Sequence, residues 1–256
     1  MLGIDFMVSK SLIVKALRKN SKIFYQSQRF LKDNLKDFMI MITKQQILSE
    51  VVNQKEIRVI GMRRTGNHAI INWIKNQEIG NIEFLNDLKV NRNALRHSYE
   101  NLSENYPFLK KDCLIRSYED YSLQEITNWL LESKHDLYFG KSGTRYDVLI
   151  IRDPFNLLAS RFKHRLQREK NDLDSTESCY GNNFLFVRSP HQKVSDLSLN
   201  YAKEDLGETS YIQKHNKICI NYNQWFTDVD YRQQIAEKLQ LKFSDTGIDK
   251  VSSRRR

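Results

Sequence analysis

EIRVIGMRRTGNHAIINWI, residues 56–74, decides the fold of this chain. The stretch opens with a β-branched run that ends at Gly61, and a turn with a second glycine, Gly66, follows. Asn67, which precedes the last part of the stretch, is the predicted N-cap of a helix. The apolar side chains that share one face of this helix are Ile70, Trp73 and Ile74. The stretch therefore predicts a strand, a tight turn and a helix, in that order.

Strands and helices alternate along the rest of the chain. Four further segments predict strands: NIEFLND (81–87), CLIRSYED (113–120), YDVLIIRD (146–153) and KICINY (217–222). The third of these is a continuous apolar run, which is typical of a strand buried on both faces of a parallel sheet. The alternation predicts an α/β fold of three layers, with a parallel sheet flanked by helices. In such folds, ligands bind beyond the carboxyl ends of the strands.

The composition is that of a globular protein with an excess of positive charge. The chain has 256 residues, 40% hydrophobic and 28% charged, which allows one large domain with a buried core. A formal net charge of +10 favours an anionic partner, such as a nucleotide, an acidic glycan or a membrane surface. Because no recognised nucleic-acid-binding module is present, no nucleic-acid partner is expected.

Residues 1–55 differ from the rest of the chain in composition. They hold ten Lys or Arg against four Asp or Glu, and we expect a basic, helical N-terminal extension. Packing of this extension on a main domain at 56–256 is the favoured interpretation, and peripheral membrane contact is the alternative. Residues 170–215 interrupt the strand–helix alternation and predict a lid or an acceptor-side insertion, with plain surface as the alternative.

Cysteine spacing and hydropathy indicate the compartment. Cys113, Cys179 and Cys219 lie far apart, with no CxxC pair and no His/Cys cluster, so we expect thiols in a reducing compartment and no metal site. No apolar run approaches the ~18 residues of a membrane-spanning helix, and the first residues lack a signal-peptide pattern. These features predict a cytoplasmic protein.

The turn GMRRTGNH (61–68) has the spacing of a phosphate-binding loop. A nucleotide-hydrolysing loop would continue with Lys and then Ser or Thr, but Asn67 and His68 stand there, so the Mg²⁺-holding hydroxyl is missing. Main-chain N–H groups and the positive end of the helix dipole still form an anion cradle. Arg63 or Arg64 adds positive charge, and the sequence leaves open which of the two points inward.

A second motif follows the strongest predicted strand. RDPFNLLAS (152–160) places Arg152 at the strand end and Ser160 eight residues later, with Asp153 as the predicted N-cap. A guanidinium and a hydroxyl at this spacing form a compact site for a phosphate dianion; the alternative is a strand-end ion pair and a solvated serine. The predicted buried face of this helix is Phe155, Leu158, Ala159, Phe162 and Leu166.

Together, the two motifs resemble those of sulfotransferases that use 3′-phosphoadenosine 5′-phosphosulfate (PAPS). RVIGMRRTGNHAIINWI (58–74) is similar to their 5′-phosphosulfate loop, and RDPFNLLAS is similar to their 3′-phosphate motif. The resemblance spans about residues 56–240 and implies a P-loop NTPase-like sulfotransferase fold that binds PAPS without a metal. Arg64 takes the place of the family's loop lysine. The implied PAPS-binding residues are Arg63, Arg64, Thr65, Gly66, Asn67, His68, Arg152 and Ser160.

Sulfuryl transfer requires positive charge at the leaving oxygen and a base near the acceptor hydroxyl. Arg64 and His68 are the candidates for contact with the leaving group. A base is expected at the carboxyl end of a neighbouring strand, where relatives use a histidine or a glutamate. The candidates are Glu119, ranked first, then Asp87 and Asp120, with His68 in the cradle as a further candidate. Asp120 also precedes an apolar periodic run and is a predicted helix N-cap.

We therefore expect a sulfotransferase that moves a sulfuryl group from PAPS to a hydroxyl or amine of a carbohydrate or small-molecule acceptor. One alternative is a P-loop nucleotide kinase or NTPase, against which Asn67 and His68 argue. The other is a catalytically weakened protein that binds PAPS or its product 3′-phosphoadenosine 5′-phosphate (PAP). The family's C-terminal segment that closes over the nucleotide has no evident counterpart before the final SSRRR (252–256), which favours this second alternative.

Overall fold

A computed structural model describes residues 21, 23–35, 37–39, 41–42, 49–90, 109–175, 190–213, 216–245 and 248. The chain divides into two compact units, Met1–Glu50 and Val51–Arg256. In the first unit, residues 21, 23–35, 37–39 and 41–42 are helical and are called the arm helix below. No helix in the described part of the chain has the length and apolar character to cross a bilayer.

The second unit alternates strands and helices, as the sequence predicts. The strands are β1 (Val51–Gly61), β2 (Ile82–Leu85), β3 (Lys111–Glu119), β4 (Lys141–Ile151) and β5 (Lys217–Asn221). The helices are α1 (Asn67–Lys75), α2 (Leu123–Ile126), α3 (Trp129–Glu132), α4 (His135–Phe139), α5 (Pro154–Ser175), α6 (Pro190–Asp205), α7 (Tyr222–Thr227) and α8 (Val229–Lys238).

The strands form one sheet in the order β2-β3-β1-β4-β5, and every described pairing is parallel. The predicted α/β fold with a parallel sheet flanked by helices is therefore confirmed. Strand β1 begins at Val51, five residues before the predicted start of the main domain. The amide of Asn53 donates to the carbonyls of Phe139 and Gly140 at 3.0 and 3.1 Å, which holds this early part of the strand beside β4.

One face of the sheet carries an apolar core. Residues at alternate positions of the strands, such as Ile57 and Val59 on β1, are fully buried beneath α1, α7 and α8. Trp73 of α1 meets Trp225 of α7 edge to face, with ring centroids 5.9 Å apart. The continuous apolar run in β4 belongs to both layers, because Val148 faces this core and Leu149 is buried on the other side.

The other face of the sheet carries a buried layer of charged residues under α2–α4. Glu56 on β1 is 1% exposed and accepts from the guanidinium of Arg116 on β3, with Nε at 2.8 Å. His135 Nε2 lies 2.9 Å from the same carboxylate, and the hydroxyl of Ser142 donates to it. Burial by itself raises the pKa of Glu56, but Arg116, His135 and Arg145 together hold that pKa well below its ordinary value.

Two predicted helix caps differ from those observed. Gly66, not Asn67, is the N-cap of α1, because the left-handed backbone at Gly66 (φ 103°) starts the helix one residue earlier and makes Asn67 its first residue. Ser122, not Asp120, caps α2: its side chain accepts from Glu125 N, and the Glu125 side chain accepts from Ser122 N. Asp120 has φ 61° and serves the loop described below.

The inward face of α5 is also different from the prediction. Phe155 is 80% exposed, Phe162 is 48% exposed and Ala159 is exposed, whereas Leu157 is completely buried. Leu166 lies among the residues whose side chains are not described. The helix is turned because its polar residues contact the turn after β1, so that Leu157, Ser160 and Arg161 face inward. Residues 170–175, predicted to begin an insertion, continue α5, and residues 176–189 lie outside the described part.

Candidate functional site: the glycine-bounded turn at the centre of the sheet

The two sequence motifs meet where the strand order reverses. The chain leaves β1 toward β2 and leaves β4 toward β5, so a crevice opens between the carboxyl ends of β1 and β4. Gly61 at the end of β1 pairs in register with Ile150 of β4. The turn 61–67 and Arg152 consequently lie side by side, although they are far apart in the sequence.

Both glycines of the turn are required by close contacts. A Cβ atom on Gly61 would lie 2.1 Å from Oδ1 of Asn67, and one on Gly66 would lie 2.0 Å from the ring of Tyr222. Gly66 also has φ 103°, a conformation that residues with side chains rarely adopt. The glycine spacing therefore reflects tight packing: Gly61 lies against the side-chain amide of Asn67, and Gly66 lies against Tyr222, the first residue of α7.

The side chains of Thr65 and Asn67 are used within the turn. The Thr65 hydroxyl lies 2.6 Å from the carbonyl of Met62 and 2.7 Å from Oδ1 of Asn67, and both residues are buried. Asn67 Nδ2 donates to Glu119 Oε1 at 2.9 Å. These side chains therefore bond to the protein itself and fix the start of α1, where main-chain N–H groups and the helix dipole favour an anion.

The two adjacent arginines of the turn point in opposite directions. Arg64 has φ 74°, an uncommon conformation for a residue with a side chain, and its Nε donates to the hydroxyl of Ser160 on α5 at 3.3 Å. Arg63 extends the other way, toward β2 and β3. The sequence left open which arginine faces the second motif, and the structure assigns Arg64 to it.

Arg152 completes a basic group with Arg64 and Ser160. Its NH1 atom donates to the carbonyl of Arg64 at 2.6 Å, and its guanidinium carbon lies 4.9 Å from the ring centroid of Tyr222. Two guanidinium groups, one hydroxyl and the N-terminus of α1 thus converge at one edge of the sheet. This arrangement suits a ligand with more than one anionic group.

Arg161 is a part of the site that the sequence analysis missed. Its Nε donates to the carbonyl of Arg63 at 3.1 Å, and its NH2 pairs with Asp120. Asp120 in turn accepts from the main-chain N–H of Arg63 at 3.0 Å. The turn is thereby fastened to α5 on one side and to β3 on the other. The signal that could have identified Arg161 is its position one residue after Ser160, on the same polar side of α5.

Arg63 lies among three carboxylates at the ends of β2 and β3. Its guanidinium nitrogens lie 3.1 Å from Asp87, 3.5 Å from Glu119 and 3.8 Å from Asp120. Partial burial lowers the pKa of Arg63, and the carboxylates, Asp87 first, outweigh this effect and raise it. The three candidate bases are therefore brought together, and Asp87 is also paired with Lys89 at 2.7 Å.

His68 lies on the β2 side of the turn. Its ring is exposed and meets Phe84 of β2 edge to face, with centroids 6.4 Å apart. The site thus has a basic side at Arg64, Arg152 and Ser160, and a mixed side at Arg63, His68 and the carboxylates.

A cavity of about 470 Å³ adjoins the basic side. Its walls are the ends of β1, β4 and β5 and the inward face of α6: Met62, Ile151, Arg152, Asp153, Pro154, Ser195, Ser198, Leu199, Tyr201, Ala202 and Asn221. The Tyr201 hydroxyl donates to the carbonyl of Tyr121 at 2.5 Å, which places that end of the cavity close to the segment after β3. Burial, and then the charge of Asp120, raise the pKa of Tyr201. Most of the lining is apolar, with serine hydroxyls on one wall.

Comparisons with known proteins give a limited result. No protein-family model matches the chain, and no curated protein sequence matches it. Among solved structures, the chain is similar to mouse sulfotransferase SULT7A1 complexed with PAP, with 13% sequence identity and a TM-score of 0.48. The similarity covers 81% of this chain and 67% of that chain. Because likeness at this level is too low to support an inference about the site, the chemistry follows from the residues of this chain.

Proposed function

We propose that the protein transfers a sulfuryl group from PAPS to a hydroxyl or amine of a carbohydrate or small-molecule acceptor. One observation carries the proposal: two phosphate-type motifs, 88 residues apart between Arg64 and Arg152, converge on each other. PAPS has anionic groups at the 5′ and 3′ positions of one nucleoside, and a basic group built from two sequence motifs suits such a molecule. In this proposal the turn and Arg64 bind the 5′ end, and Arg152 with Ser160 binds the 3′-phosphate.

The mixed side of the site supports a role in activating the acceptor. Glu119 is held by Asn67 and lies beside Arg63, so its carboxylate has a defined position next to the turn. In the proposed reaction, Glu119 takes the proton of the acceptor hydroxyl while the oxygen of that hydroxyl forms a bond to sulfur. The bond between sulfur and the phosphate oxygen breaks, and PAP leaves with the negative charge. Arg64 and the first-turn N–H groups of α1 stabilise that charge.

A test of the nucleotide assignment compares PAP with ATP, each with and without Mg²⁺. We expect PAP at 100-fold excess over its Kd to raise Tm by roughly 5–10 °C without metal, and ATP to have little effect. Arg152→Ala should weaken PAP binding by about 2 kcal/mol, roughly thirtyfold, because a charge-assisted contact is lost. Calorimetric titration measures this difference in affinity.

Lys163→Ala is the matched control, because Lys163 is an exposed basic residue on α5, the helix that follows Arg152 and carries Ser160. It should leave PAP affinity within about twofold of the starting protein. If ATP with Mg²⁺ stabilises the protein and PAP does not, the result contradicts the proposal and favours the alternative of a P-loop kinase or NTPase. PAP binding without any sulfuryl transfer across a panel of acceptors would indicate the weakened, binding-only alternative.

We further propose that the acceptor enters the cavity beside α6, since this helix lies in the region predicted to recognise it. Tyr201 of α6 bonds to the carbonyl of Tyr121, so this end of the cavity lies close to the segment that follows Glu119. Ser198→Trp should fill part of the 470 Å³ space and raise the acceptor KM by about tenfold or more, with PAP affinity unchanged. Steady-state kinetics with varied acceptor concentration measures the acceptor KM, and a separate titration measures PAP affinity. Asn200→Trp, at an exposed position of the same helix, is the control. An equal acceptor KM in the Ser198→Trp and Asn200→Trp variants would indicate that the acceptor binds outside this cavity.

A further inference from the structure

Five large apolar side chains of the arm helix form an exposed stripe. They recur at intervals of seven, four, three and four residues, which places them within roughly 60° of one another around a helix. Each is between 57% and 65% exposed: Phe24, Leu31, Leu35, Phe38 and Ile42. A helix face of this kind is left exposed in a soluble protein when it has a partner to contact.

The polar residues near the stripe do not interrupt its apolar character. Ser27 donates to the carbonyl of Ile23 at 2.9 Å, and the amide of Asn34 donates to the carbonyl of Phe30 at 3.0 Å. Both side chains therefore bond to their own helix. Tyr25 and Met41, also exposed, broaden the apolar sector beyond a narrow seam.

The charges of the arm are arranged asymmetrically around the stripe. Lys32 is exposed and lies roughly 90° from the centre of the stripe, so its aliphatic stem can lie along an apolar phase while its ammonium group reaches a headgroup. Asp33 and Asp37 lie on the opposite side of the helix and are buried. Residues 1–55 as a whole carry ten Lys or Arg against four Asp or Glu. The exposed side thus presents apolar surface with Lys32 beside it.

We propose that the arm helix binds the surface of an anionic lipid bilayer, with its stripe in the boundary between headgroups and acyl chains. A broad apolar sector rich in Phe, Leu and Met, bordered by basic side chains, is the pattern of helices that lie in this boundary. Anionic headgroups complement the charge of the arm and attract it before the stripe inserts. This proposal is independent of the sulfuryl-transfer proposal, because it uses no residue of the site.

Vesicle co-sedimentation of the full chain tests the proposal. We expect binding to vesicles with about 30% phosphatidylserine, weaker binding to pure phosphatidylcholine, and a decrease as salt rises. Leu31→Gln/Leu35→Gln should lower the partition coefficient on anionic vesicles by about tenfold or more, because two inserted side chains become polar. Ile79→Gln/Leu206→Gln is the matched control, since both residues are 73% exposed and lie in the other unit. It should bind like the starting protein.

Two results would overturn the proposal. The first is equal vesicle binding by the Leu31/Leu35 variant and its control. The second is concentration-dependent dimerisation without vesicles, seen by sedimentation velocity and lost in the Leu31/Leu35 variant, which would assign the stripe to a second copy of the chain. Circular dichroism of both double variants shows whether the fold is kept. PAP titration as a second readout shows whether the site is intact, so a loss of vesicle binding with normal PAP affinity supports the proposal.

Discussion

Glu119→Gln is expected to lower the turnover of sulfuryl transfer by about 10²–10⁴-fold, which is the usual contribution of a general base. The amide keeps nearly the shape of the carboxylate and its oxygen can still accept from Asn67 Nδ2, but it cannot take the proton of the acceptor. PAP affinity should remain within a few fold, because Glu119 lies on the mixed side of the site. Single-turnover kinetics with isotope-labelled PAPS measures the chemical step, and titration calorimetry measures PAP binding.

The controls for this variant are two other carboxylates. Glu78→Gln removes a half-buried carboxylate that pairs with Lys55 at 2.8 Å, away from the turn, and should leave turnover unchanged. Asp87→Asn tests the second-ranked base, which also contacts Arg63. If Asp87→Asn reduces turnover and Glu119→Gln does not, the roles of these two residues are reversed from those proposed. If neither variant changes turnover, Asp120, the third carboxylate near Arg63, is the next candidate and Asp120→Asn tests it.

Arg116→Met is expected to lower the free energy of unfolding by about 3–5 kcal/mol, the range for breaking a buried ion pair from one side. The substitution leaves the carboxylate of Glu56, 1% exposed, without its closest cationic partner. The double variant Arg116→Met/Glu56→Leu should recover much of the loss, because no uncompensated charge then remains buried. Urea unfolding at neutral pH, followed by circular dichroism, measures both values.

Arg145→Met is the matched control, since Arg145 faces the same carboxylate at 3.7 Å but is 37% exposed. We expect a change of at most about 1 kcal/mol, because solvent screens an exposed partner. The pH dependence offers an independent check. The pKa of Glu56 is lowered in the fold, so its contribution is complete above the ordinary value of 4.5 and is lost as pH falls through the folded value. Equal losses for Arg116→Met and Arg145→Met would contradict the buried-pair account.

The parallel sheet could be predicted because its signals are local. Continuous apolar runs such as YDVLIIRD and the periodic residues after Gly66 do not depend on distant contacts, and the structure agrees with both. The charged layer could not be predicted in the same way. Glu56, Arg58 and Arg116 look like solvent-facing strand residues in the sequence, but α2–α4 cover them, and each finds a partner of opposite charge.

The inward face of α5 was predicted wrongly for a physical reason. Apolar periodicity assumes that a helix turns its apolar side toward the core, and Phe155 and Phe162 fit that assumption in the sequence. Helix α5 begins beside the turn, where Ser160 and Arg161 bond to atoms of Arg64 and Arg63. The inward face therefore combines these polar contacts with the buried Leu157. The inward face of α5, which the sequence analysis predicted wrongly, is therefore part of the candidate site.

The sequence by itself determined that a strand ends in a glycine-bounded turn at 61–66 and that Arg152 and Ser160 follow a second buried strand. Both features depend on a few neighbouring residues: glycine adopts turn conformations that other residues avoid, and the apolar run of β4 is continuous. The sequence alone therefore predicts them. Only the tertiary structure decided that Arg64 faces Ser160 while Arg63 faces the carboxylates. That choice depends on the left-handed backbone at Arg64 and on the β1–β4 register, and both arise from contacts between residues far apart in the sequence.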